Sequence, residues 1–397
     1  MNLISKRINN LSTSATLAML QKSNELRAAG VDIIGMSAGE PDFDTPTQIK
    51  EAGQRAIAEN YSRYTAVAGY ESLRRAICDK LRRENGLDYE PTQIVVGNGA
   101  KQELANALLA VVDPGDEVLI PTPAWVSYVE MVKLAEGVAV TIEATAEHDY
   151  KITAEQLEQA ITPRSKVLML NSPCNPTGSV YSETELEALA EVLRRHPEII
   201  ILSDEIYEHI NFRGGVKSFA TLEGMKERTI LINGVSKAYA MTGWRIGYMA
   251  APAAIVKAVT KLQGQYTSGA SSIAQKAAEA AYNGDQTCVE EMRKAFERRS
   301  RLIYQLATEI PGWRCNQPEG AFYLLPDVKA LIGKKVGDKV ITSSGDYVMY
   351  LLEEAHVACV DGAAFCADGH IRLSYATSDD NIREAMKRIR EATEKLS

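Results

Sequence analysis

The chain has 397 residues, of which 45% are hydrophobic, and it carries a formal net charge of −8. This composition predicts a folded protein with at least one large core, and the length predicts two or three domains. The negative charge and the absence of a basic run argue against nucleic acid or an anionic membrane surface as a partner. No stretch approaches the roughly 18 apolar residues that a membrane span requires.

The six cysteines, at positions 78, 174, 288, 315, 359 and 366, form neither a CxxC pair nor a zinc-binding spacing. We therefore expect reduced thiols, no metal site and a reducing compartment. The first ten residues lack the apolar core of a signal peptide. Together these features predict a soluble, cytoplasmic protein.

Short apolar runs alternate with helical patterns through the middle of the chain, as in a doubly wound α/β sheet. The predicted strands are Gln93–Val96, Glu117–Ile120, Val138–Ile142, Lys166–Asn171, Ile199–Ser203, Thr229–Asn233 and Ile246–Ala250. The predicted helices between them include Lys101–Val112, Trp125–Ala135, Ala154–Ile161 and Glu183–Arg195. This alternation predicts one large α/β domain over residues 46–290.

A long helical pattern follows, from Cys288 to about Ile310, and we interpret it as a helix that links two domains. Beyond it, strand signals at Ala321–Leu325, Val357–Val360 and His370–Tyr375 precede a final helical pattern. We expect residues 291–397 to form the linking helix and a smaller α+β domain. Residues 1–45 are expected to form an N-terminal arm and part of that smaller domain.

A lysine and an arginine stand eight residues apart in the nearly uncharged run from Ser236 to Tyr248. Lys237 follows the apolar strand Thr229–Asn233, so we expect its side chain to point into a cleft. Burial lowers the pKa of an amine and favours the neutral nucleophile, which forms a Schiff base with an aldehyde or ketone. A solvated lysine in a turn is the simpler alternative.

Two other predicted strands end in polar residues that a turn alone does not require. Pro173 and Pro176 stand on either side of Asn175 and restrict the backbone around it. Asp204 directly follows an apolar strand, where a carboxylate is costly to bury unless a cation faces it. An ordinary Asn-Pro turn and a helix cap are the alternatives for these two residues.

In this order, Asn175, Asp204, Lys237 and Arg245 resemble the aspartate-aminotransferase-like superfamily of pyridoxal 5′-phosphate enzymes. Matching segments run along essentially the whole chain: Gly39–Phe43, Tyr64–Gly69, Ile371–Tyr375 and, as in the bacterial aspartate aminotransferase subgroup, Ser14–Thr16, Trp125–Tyr128 and Ala240–Arg245. The resemblance implies a fold-type I pyridoxal-phosphate-dependent transferase. Such a fold has a large domain with a seven-stranded, mostly parallel sheet and a smaller α+β domain.

The resemblance also implies a role for each matched residue at the cofactor ring. Lys237 would carry pyridoxal 5′-phosphate as a Schiff base and then move a proton as general base and acid. Asp204 would pair with the pyridinium nitrogen, and Asn175 and Tyr207 would hydrogen-bond the phenolic oxygen. Trp125 would stack on the ring, although a core or surface aromatic residue is the plain alternative.

The cofactor's phosphate requires a site for a dianion. The turn through Gly99 into the helix that begins with Ala100 and Lys101 would expose backbone N–H groups, although a glycine turn is weak evidence by itself. The resemblance places Arg245 and Ser236 on the same phosphate. Tyr64 resembles the residue that reaches the phosphate of a neighbouring subunit, which implies a homodimer with shared active sites.

Substrate recognition follows from the same resemblance. Arg372, helped by the backbone of Gly39, would bind the α-carboxylate of an amino acid or 2-oxo acid substrate, and Trp125 and Asn175 would also touch the substrate. Lys101 and Thr16 would bind a distal carboxylate, which favours aspartate, glutamate and 2-oxoglutarate. Subgroup members that also act on prephenate carry a lysine where this chain has Ser12.

Two alternatives to an aspartate aminotransferase stay open at this point. The same scaffold supports aminotransferases for other donors, β-lyases and aminocyclopropane-carboxylate formation, and a fold alone does not separate them. Aminotransferase-like domains also act as effector sensors in transcription regulators, behind a basic helix-turn-helix domain. We expect no such domain here, because the fold begins almost at the first residue.

Overall fold

The structure, a computed structural model, describes residues 3–215 and 217–397. In chain order its strands are β1 (Ile34–Gly35), β2 (Ile94–Gly97), β3 (Glu117–Thr122), β4 (Val138–Glu143), β5 (Ser165–Asn171), β6 (Ile200–Asp204), β7 (Thr229–Gly234), β8 (Gly247–Ala250), β9 (Tyr323–Leu324), β10 (Lys335–Val336), β11 (Lys339–Val340), β12 (Val357–Ala358), β13 (Val360–Asp361) and β14 (Ile371–Ser374).

The α-helices are α1 (Lys6–Asn9), α2 (Ala15–Ala28), α3 (Thr47–Ala58), α4 (Glu71–Lys80), α5 (Ala100–Val111), α6 (Ser127–Leu134), α7 (Ala154–Ala160), α8 (Glu183–Arg195), α9 (Ala253–Tyr266), α10 (Ser272–Asn283), α11 (Thr287–Ala307), α12 (Ser344–Tyr350) and α13 (Asp379–Thr393). Two of them, α4 and α12, continue into a π-helical turn, at Leu81–Asn85 and Leu351–Ala355.

A seven-stranded sheet organises the middle of the chain, in the order β2-β8-β7-β6-β5-β3-β4. Strand β8 is antiparallel to both of its neighbours, whereas the remaining pairs are parallel. Every residue of β2, β7 and β8 is buried, as expected for a sheet covered by helices on both faces. The predicted α/β fold with a seven-stranded, mostly parallel sheet is confirmed.

The direction of β8 decides where Arg245 lies. Because β8 runs against the other strands, the residues just before it lie at the same edge as the residues that follow the parallel strands. Arg245 precedes β8, and Lys237 follows β7. Both therefore belong to the edge at which open α/β sheets bind ligands.

Residues beyond α11 build smaller sheets against a separate hydrophobic core. Strands β13, β14 and β9 form an antiparallel sheet, while the N-terminal strand β1 pairs with β12. The core beneath them includes Phe296 of α11 and Ile389 of α13, and it continues to Tyr207 at the edge of the large sheet. The same packing thus reaches the ends of the large-sheet strands.

Several predicted elements begin or end a few residues away from their bounds in the structure, and two of these differences change the topology or the place of a site residue. The single strand predicted over Val357–Val360 is two strands, because β12 pairs with β1 whereas β13 pairs with β14. All four residues of that segment are buried, so no alternation of polar and apolar residues marks the switch. The helix predicted from Trp125 begins at Ser127, which leaves Trp125 in the preceding loop.

Within the described residues, we find no helix that combines the length and the apolarity needed to cross a membrane.

Candidate active site

A cavity of about 290 Å³ lies at the carboxyl edge of the large sheet. Most of the predicted site residues line it: Thr16, Gly39, Ala100, Lys101, Trp125, Asn175, Asp204, Tyr207, Ser236, Lys237, Arg245 and Arg372. Two predicted residues do not. Gly99 lies behind the guanidinium of Arg245, and Tyr64 is 99% exposed on the outer surface.

Lys237 occupies the loop that follows the buried strand β7. Its ammonium donates a hydrogen bond of 2.6 Å to the carbonyl of Gly39, so the lysine joins the sheet edge to the N-terminal segment. Burial, reinforced by the charges of Arg245 and Arg372, lowers the pKa of Lys237 to about 8, against the opposing effect of Glu40 and Asp204. A substantial fraction of the amine is therefore neutral near pH 8, as a nucleophile requires.

Asp204 ends strand β6 and is 4% exposed. Burial raises the pKa of Asp204 to about 6, whereas the Tyr128 hydroxyl, the Ile206 amide and the charge of Lys237 lower it. The Tyr128 hydroxyl donates to Oδ2 at 2.6 Å, and the Ile206 N–H donates to Oδ1 at 3.2 Å. Asp204 is therefore mostly ionised at neutral pH and held in one orientation.

The side chain of Asn175 is aimed by the residues around it. The Asn175 N–H donates to Oδ1 of Asn171 at 2.8 Å, and the Asn171 amide group donates to the carbonyl of Asp204 at 3.0 Å. Asn171 thereby ties the loop after β5 to the end of β6. The Asn175 side chain, which is 5% exposed, accepts a hydrogen bond from Arg372 at 3.1 Å.

Arg372 is a large cationic side chain that the fold buries almost completely, with 1% of its surface exposed. It donates to Asn175 and to the carbonyl of Ser37 at 2.7 Å, and its guanidinium lies 4.5 Å from the centre of the Tyr323 ring. Burial lowers the pKa of Arg372. Among the described residues no carboxylate pairs with it. A cation held in this way is prepared for an anionic ligand.

The aromatic residues beside Arg372 are linked by their hydroxyl groups. The Tyr207 and Tyr323 hydroxyls are 2.8 Å apart, and burial, followed by the proximity of Tyr323, raises the pKa of Tyr207. Both phenols therefore stay protonated and can donate a hydrogen bond within the cavity.

The start of helix α5 forms a cradle with Arg245. Gly99, with a φ of +83°, turns the chain into the helix, and a side chain there would collide with the guanidinium of Arg245. Gly247 lets β8 approach the backbone N of Ala100. Among the described residues, Arg245 donates to the backbone carbonyls of Thr242 and Asn98, at 2.8 and 3.2 Å, and to no carboxylate. Free helix N–H groups beside a guanidinium make an anion site.

Lys101 and Trp125 form the wall next to Thr16. The Lys101 ammonium lies 4.7 Å from the centre of the Trp125 ring, and within the described chain it makes no ion pair with a carboxylate. Partial burial, followed by the charge of Arg245, lowers the pKa of Lys101. This wall therefore presents a second cation, separate from Arg372, to whatever enters the cavity.

Three lining residues with evident contacts were missed by the sequence analysis: Tyr128, Tyr323 and Asn171. The two tyrosines fit the apolar pattern of a helix and a strand, so nothing in the sequence distinguishes them from core residues. Asn171 had a usable signal, since it is a polar residue at the end of the apolar run from Val167.

Comparison with known proteins identifies the family to which a chain with this arrangement belongs. Residues 31–389 match the family model for aminotransferases of class I and II. The chain belongs to this aminotransferase family.

Individual relatives are similar to this chain along nearly its full length. The chain is 49% identical to an aspartate/prephenate aminotransferase of Nitrosomonas europaea, over 97% of this chain and 98% of that one. It is 48% identical to an aspartate aminotransferase of Bacillus subtilis, over 99% and 100%. Among solved structures it is similar to the aspartate aminotransferase of Rhizobium meliloti, with a TM-score of 0.96, 45% identity and full coverage of both chains. It is also similar to the Thermus thermophilus aspartate aminotransferase with maleate, with a TM-score of 0.93, 42% identity and 99% and 100% coverage.

The aminotransferase fold is of fold-type I, and the cofactor of the family is pyridoxal 5′-phosphate. The residues of the cavity fit this cofactor by their chemistry. An amine with a depressed pKa, a buried carboxylate, an indole ring and a helix N-terminus beside a guanidinium all face the same space. These are the groups that an aldehyde, a pyridine nitrogen, a flat ring and a phosphate require.

Proposed function

We propose that this enzyme is an aspartate aminotransferase, which moves the amino group of L-aspartate to 2-oxoglutarate and so yields oxaloacetate and L-glutamate in two half-reactions. One observation carries the proposal. Besides Arg245 at the phosphate site, the cavity of Lys237 contains two cations, Arg372 and Lys101, that no carboxylate of the described chain neutralises. A dicarboxylic substrate matches such a pair of cations, whereas alanine or phenylalanine matches only one. The similar aspartate aminotransferase of Thermus thermophilus was solved with maleate, which is likewise a dicarboxylate.

The cofactor would be held from three sides. Its phosphate would be bound by Ala100, Ser236 and Arg245. Gly99 would supply the turn into the helix, and the positive charge of Lys101 would lie nearby. Asp204 would face the ring nitrogen, and Asn175 and Tyr207 would face the phenolic oxygen. Trp125 would cover the ring. When bound, pyridoxal phosphate supplies an electron sink for the carbanion that forms when the substrate loses its Cα proton.

The chain's own residues supply binding, orientation and proton transfer. Lys237, with its pKa near 8, can accept and return a proton at its Nζ atom close to neutral pH. Arg372, joined by the Gly39 backbone, would orient the α-carboxylate, and Asn175 and Trp125 would touch the same substrate. Lys101 and Thr16 would bind the distal carboxylate. The 2.6 Å hydrogen bond from Tyr128 lowers the pKa of Asp204 and so favours its ionised form.

A wider substrate range that includes prephenate is the second candidate, because the Nitrosomonas europaea relative is an aspartate/prephenate aminotransferase. Ser12, at the position that a lysine takes in such enzymes of the subgroup, donates its backbone N–H to Glu130 at 2.9 Å and lines a neighbouring cavity. Because Ser12 contributes no cation, we expect weak activity with prephenate at most.

We further propose a homodimer with shared active sites, in which Tyr64 completes the phosphate site of the partner. Its 99% exposure supports this role, and Ile57 and Tyr266 are further large apolar side chains that this chain leaves exposed. We also propose that the chain divides into an N-terminal segment (residues 1–45), a large domain (46–290) and a linking helix with a small domain (291–397). The free cysteines are consistent with a cytoplasmic location, which we propose as well.

The test is a panel of half-reactions followed by the visible absorbance of the bound cofactor. We expect aspartate and glutamate to react far faster than alanine, phenylalanine or the amino donor made from prephenate. Lys237→Ala, the matched control, should lose the lysine-dependent absorbance band. Equal rates for all donors, or fastest reaction with an apolar donor, would contradict the assignment to aspartate.

A further inference from the structure

A buried polar network lies behind the turn that carries Asp204 and Tyr207, outside the cavity. At its centre is Lys80, which is 1% exposed and forms an ion pair with the buried carboxylate of Glu208. The Lys80 ammonium also donates to Oδ1 of Asn85 at 2.8 Å, and the Asn85 amide group donates to the second oxygen of Glu208 at 2.8 Å. None of these three residues lines the cavity.

The local sequence explains how the network forms. Lys80 is the last residue of α4, and the helix widens there into the π-helical turn Leu81–Asn85, which ends at Gly86 with a φ of +67°. The wider turn brings the side chain of Asn85 back against that of Lys80, five residues earlier.

Glu208 connects this helix end to both chain segments of the active site. It directly follows Tyr207 and stands four residues after Asp204. On its other side it accepts a 2.7 Å hydrogen bond from the side chain of Asn233, near the end of β7. Asn233 in turn accepts a 2.7 Å hydrogen bond from the N–H of Gly234, three residues before Lys237. Glu208 is thus the shared contact between the turn of Asp204 and the strand that leads to Lys237.

The charges of the network explain why it is a fixed structure and not a cation site. Glu84, Glu208 and His209 have the spacing of metal ligands, with one ligand atom of each within 4.8 Å of the others. The Lys80 ammonium, however, already contacts Glu208 and lies 3.6 Å from Glu84, while His209 and Arg83 also pair with Glu84. Although burial raises the pKa of Glu208, Lys80 and then His209 lower it, and the net shift is downward.

A buried ion pair is by itself a weak source of stability, since apolar side chains of similar volume often stabilise a protein as well. Its fixed geometry is the property that apolar residues do not reproduce. We propose that Lys80, acting through Glu208, is a positioning residue that sets the spacing between the turn of Asp204 and Tyr207 and the loop of Lys237. This inference rests on the proposed function of those three residues.

The experiment compares Lys80→Met with the double variant Lys80→Met/Glu208→Met in the pyridoxal-phosphate-loaded enzyme. The single variant removes the ammonium that faces the buried carboxylate of Glu208, whereas the double variant removes the carboxylate as well and with it the hydrogen bond from Asn233. We expect both to lower kcat for aspartate by roughly 10- to 100-fold, as for a small misplacement of reacting groups. KM should change little, because Arg372 and Lys101 are untouched, and the pH midpoint of the cofactor's visible absorbance should shift in both.

Lys151→Met is the matched control. Lys151 is also a buried lysine, 7% exposed, and it pairs with Glu185 at 2.8 Å away from the cavity. We expect it to lower the melting temperature without changing kcat or the absorbance midpoint.

One result would overturn the inference: a double variant with wild-type kcat and absorbance midpoint, whatever its melting temperature. If the single variant does not fold, the double variant and Glu208→Gln decide the question by the same two measurements. A wild-type enzyme that prefers another donor would refute the aspartate assignment only, since the absorbance midpoint tests the position of Lys80 with any donor.

Discussion

Replacing Lys101 with alanine should weaken the reaction with dicarboxylic substrates and leave monocarboxylic ones nearly unchanged. The magnitude follows from the surroundings of the ammonium, which has the Trp125 ring on one side at 4.7 Å and solvent on another. A fully exposed ion pair is worth about 0.2–1 kcal/mol, and breaking a desolvated pair costs about 2–5 kcal/mol. Lys101 lies between these limits, so we expect about 1.5–3 kcal/mol, or roughly 10- to 150-fold in kcat/KM.

The assay is the single-turnover half-reaction with aspartate, glutamate, alanine and phenylalanine. Lys133→Ala serves as the control. Lys133 lies in the helix that follows Trp125, but it pairs with Glu130 at 2.8 Å and does not line the cavity. Arg372→Gln should instead weaken the reaction with every donor, since Arg372 is 1% exposed and would bind the carboxylate that all donors share. Removing this buried cation should cost every donor about 2–5 kcal/mol, or roughly 30- to several-thousand-fold.

The contrast between the two variants is the decisive result. Equal losses for all four donors in Lys101→Ala would refute the reasoning and assign Lys101 to the cofactor phosphate. No loss for any donor would remove Lys101 from the site altogether. A loss confined to aspartate and glutamate supports the distal-carboxylate role.

Further outcomes follow from single contacts. Tyr128→Phe removes the hydrogen bond that lowers the pKa of Asp204, so the acid limb of the pH profile of kcat/KM should move to higher pH; an unmoved limb would show that Tyr128 has no influence on Asp204. Glu103 is fully buried, and burial raises its pKa to about 8, against a smaller opposing effect of a hydrogen bond with Asn106. Because the folded state then holds a proton that the unfolded state releases above about pH 4.5, this residue makes stability fall as pH rises from about 4.5 to 8. Glu103→Gln should therefore flatten the dependence of the melting temperature on pH between about pH 4.5 and 8, and it should raise the melting temperature at pH 8. An unchanged slope would contradict the assigned pKa. Hybrid dimers of Tyr64→Ala and Lys237→Ala protomers should recover part of the activity that each variant lacks, whereas verified hybrids without recovery would argue against a shared site.

The sequence identifies those site residues whose chemistry conflicts with their surroundings. Asp204 follows an apolar strand, and Lys237 stands in a nearly uncharged run, so each is conspicuous from its neighbours along the chain. Their roles stay predictions, but the structure brings them into one cavity with Asn175 and Arg372.

Other features depend on contacts between distant segments and leave no local pattern. Tyr128 and Tyr323 resemble core residues until their hydroxyl partners are known. The division of Val357–Val360 between two sheets depends on strands that are distant in the sequence. Lys80 has an ordinary place at the end of a helix, and only its contact with Glu208 gives it a candidate role.

The N-terminal segment around β1 contacts residues near the C-terminus, among them strand β12, and this has a consequence for synthesis on the ribosome. The hydrogen bond from Arg372 to the carbonyl of Ser37 joins residues 335 positions apart. At about 5–20 residues per second, the N-terminal segment waits roughly 15–70 s for that partner. Throughout this interval Ile34 and Met36, which are buried in the finished protein, lack strand β12 and the C-terminal part of the core that covers them. We therefore expect nascent chains released before residue 357 to bind chaperones through this segment and to acquire the cofactor only after the C-terminal strands have emerged.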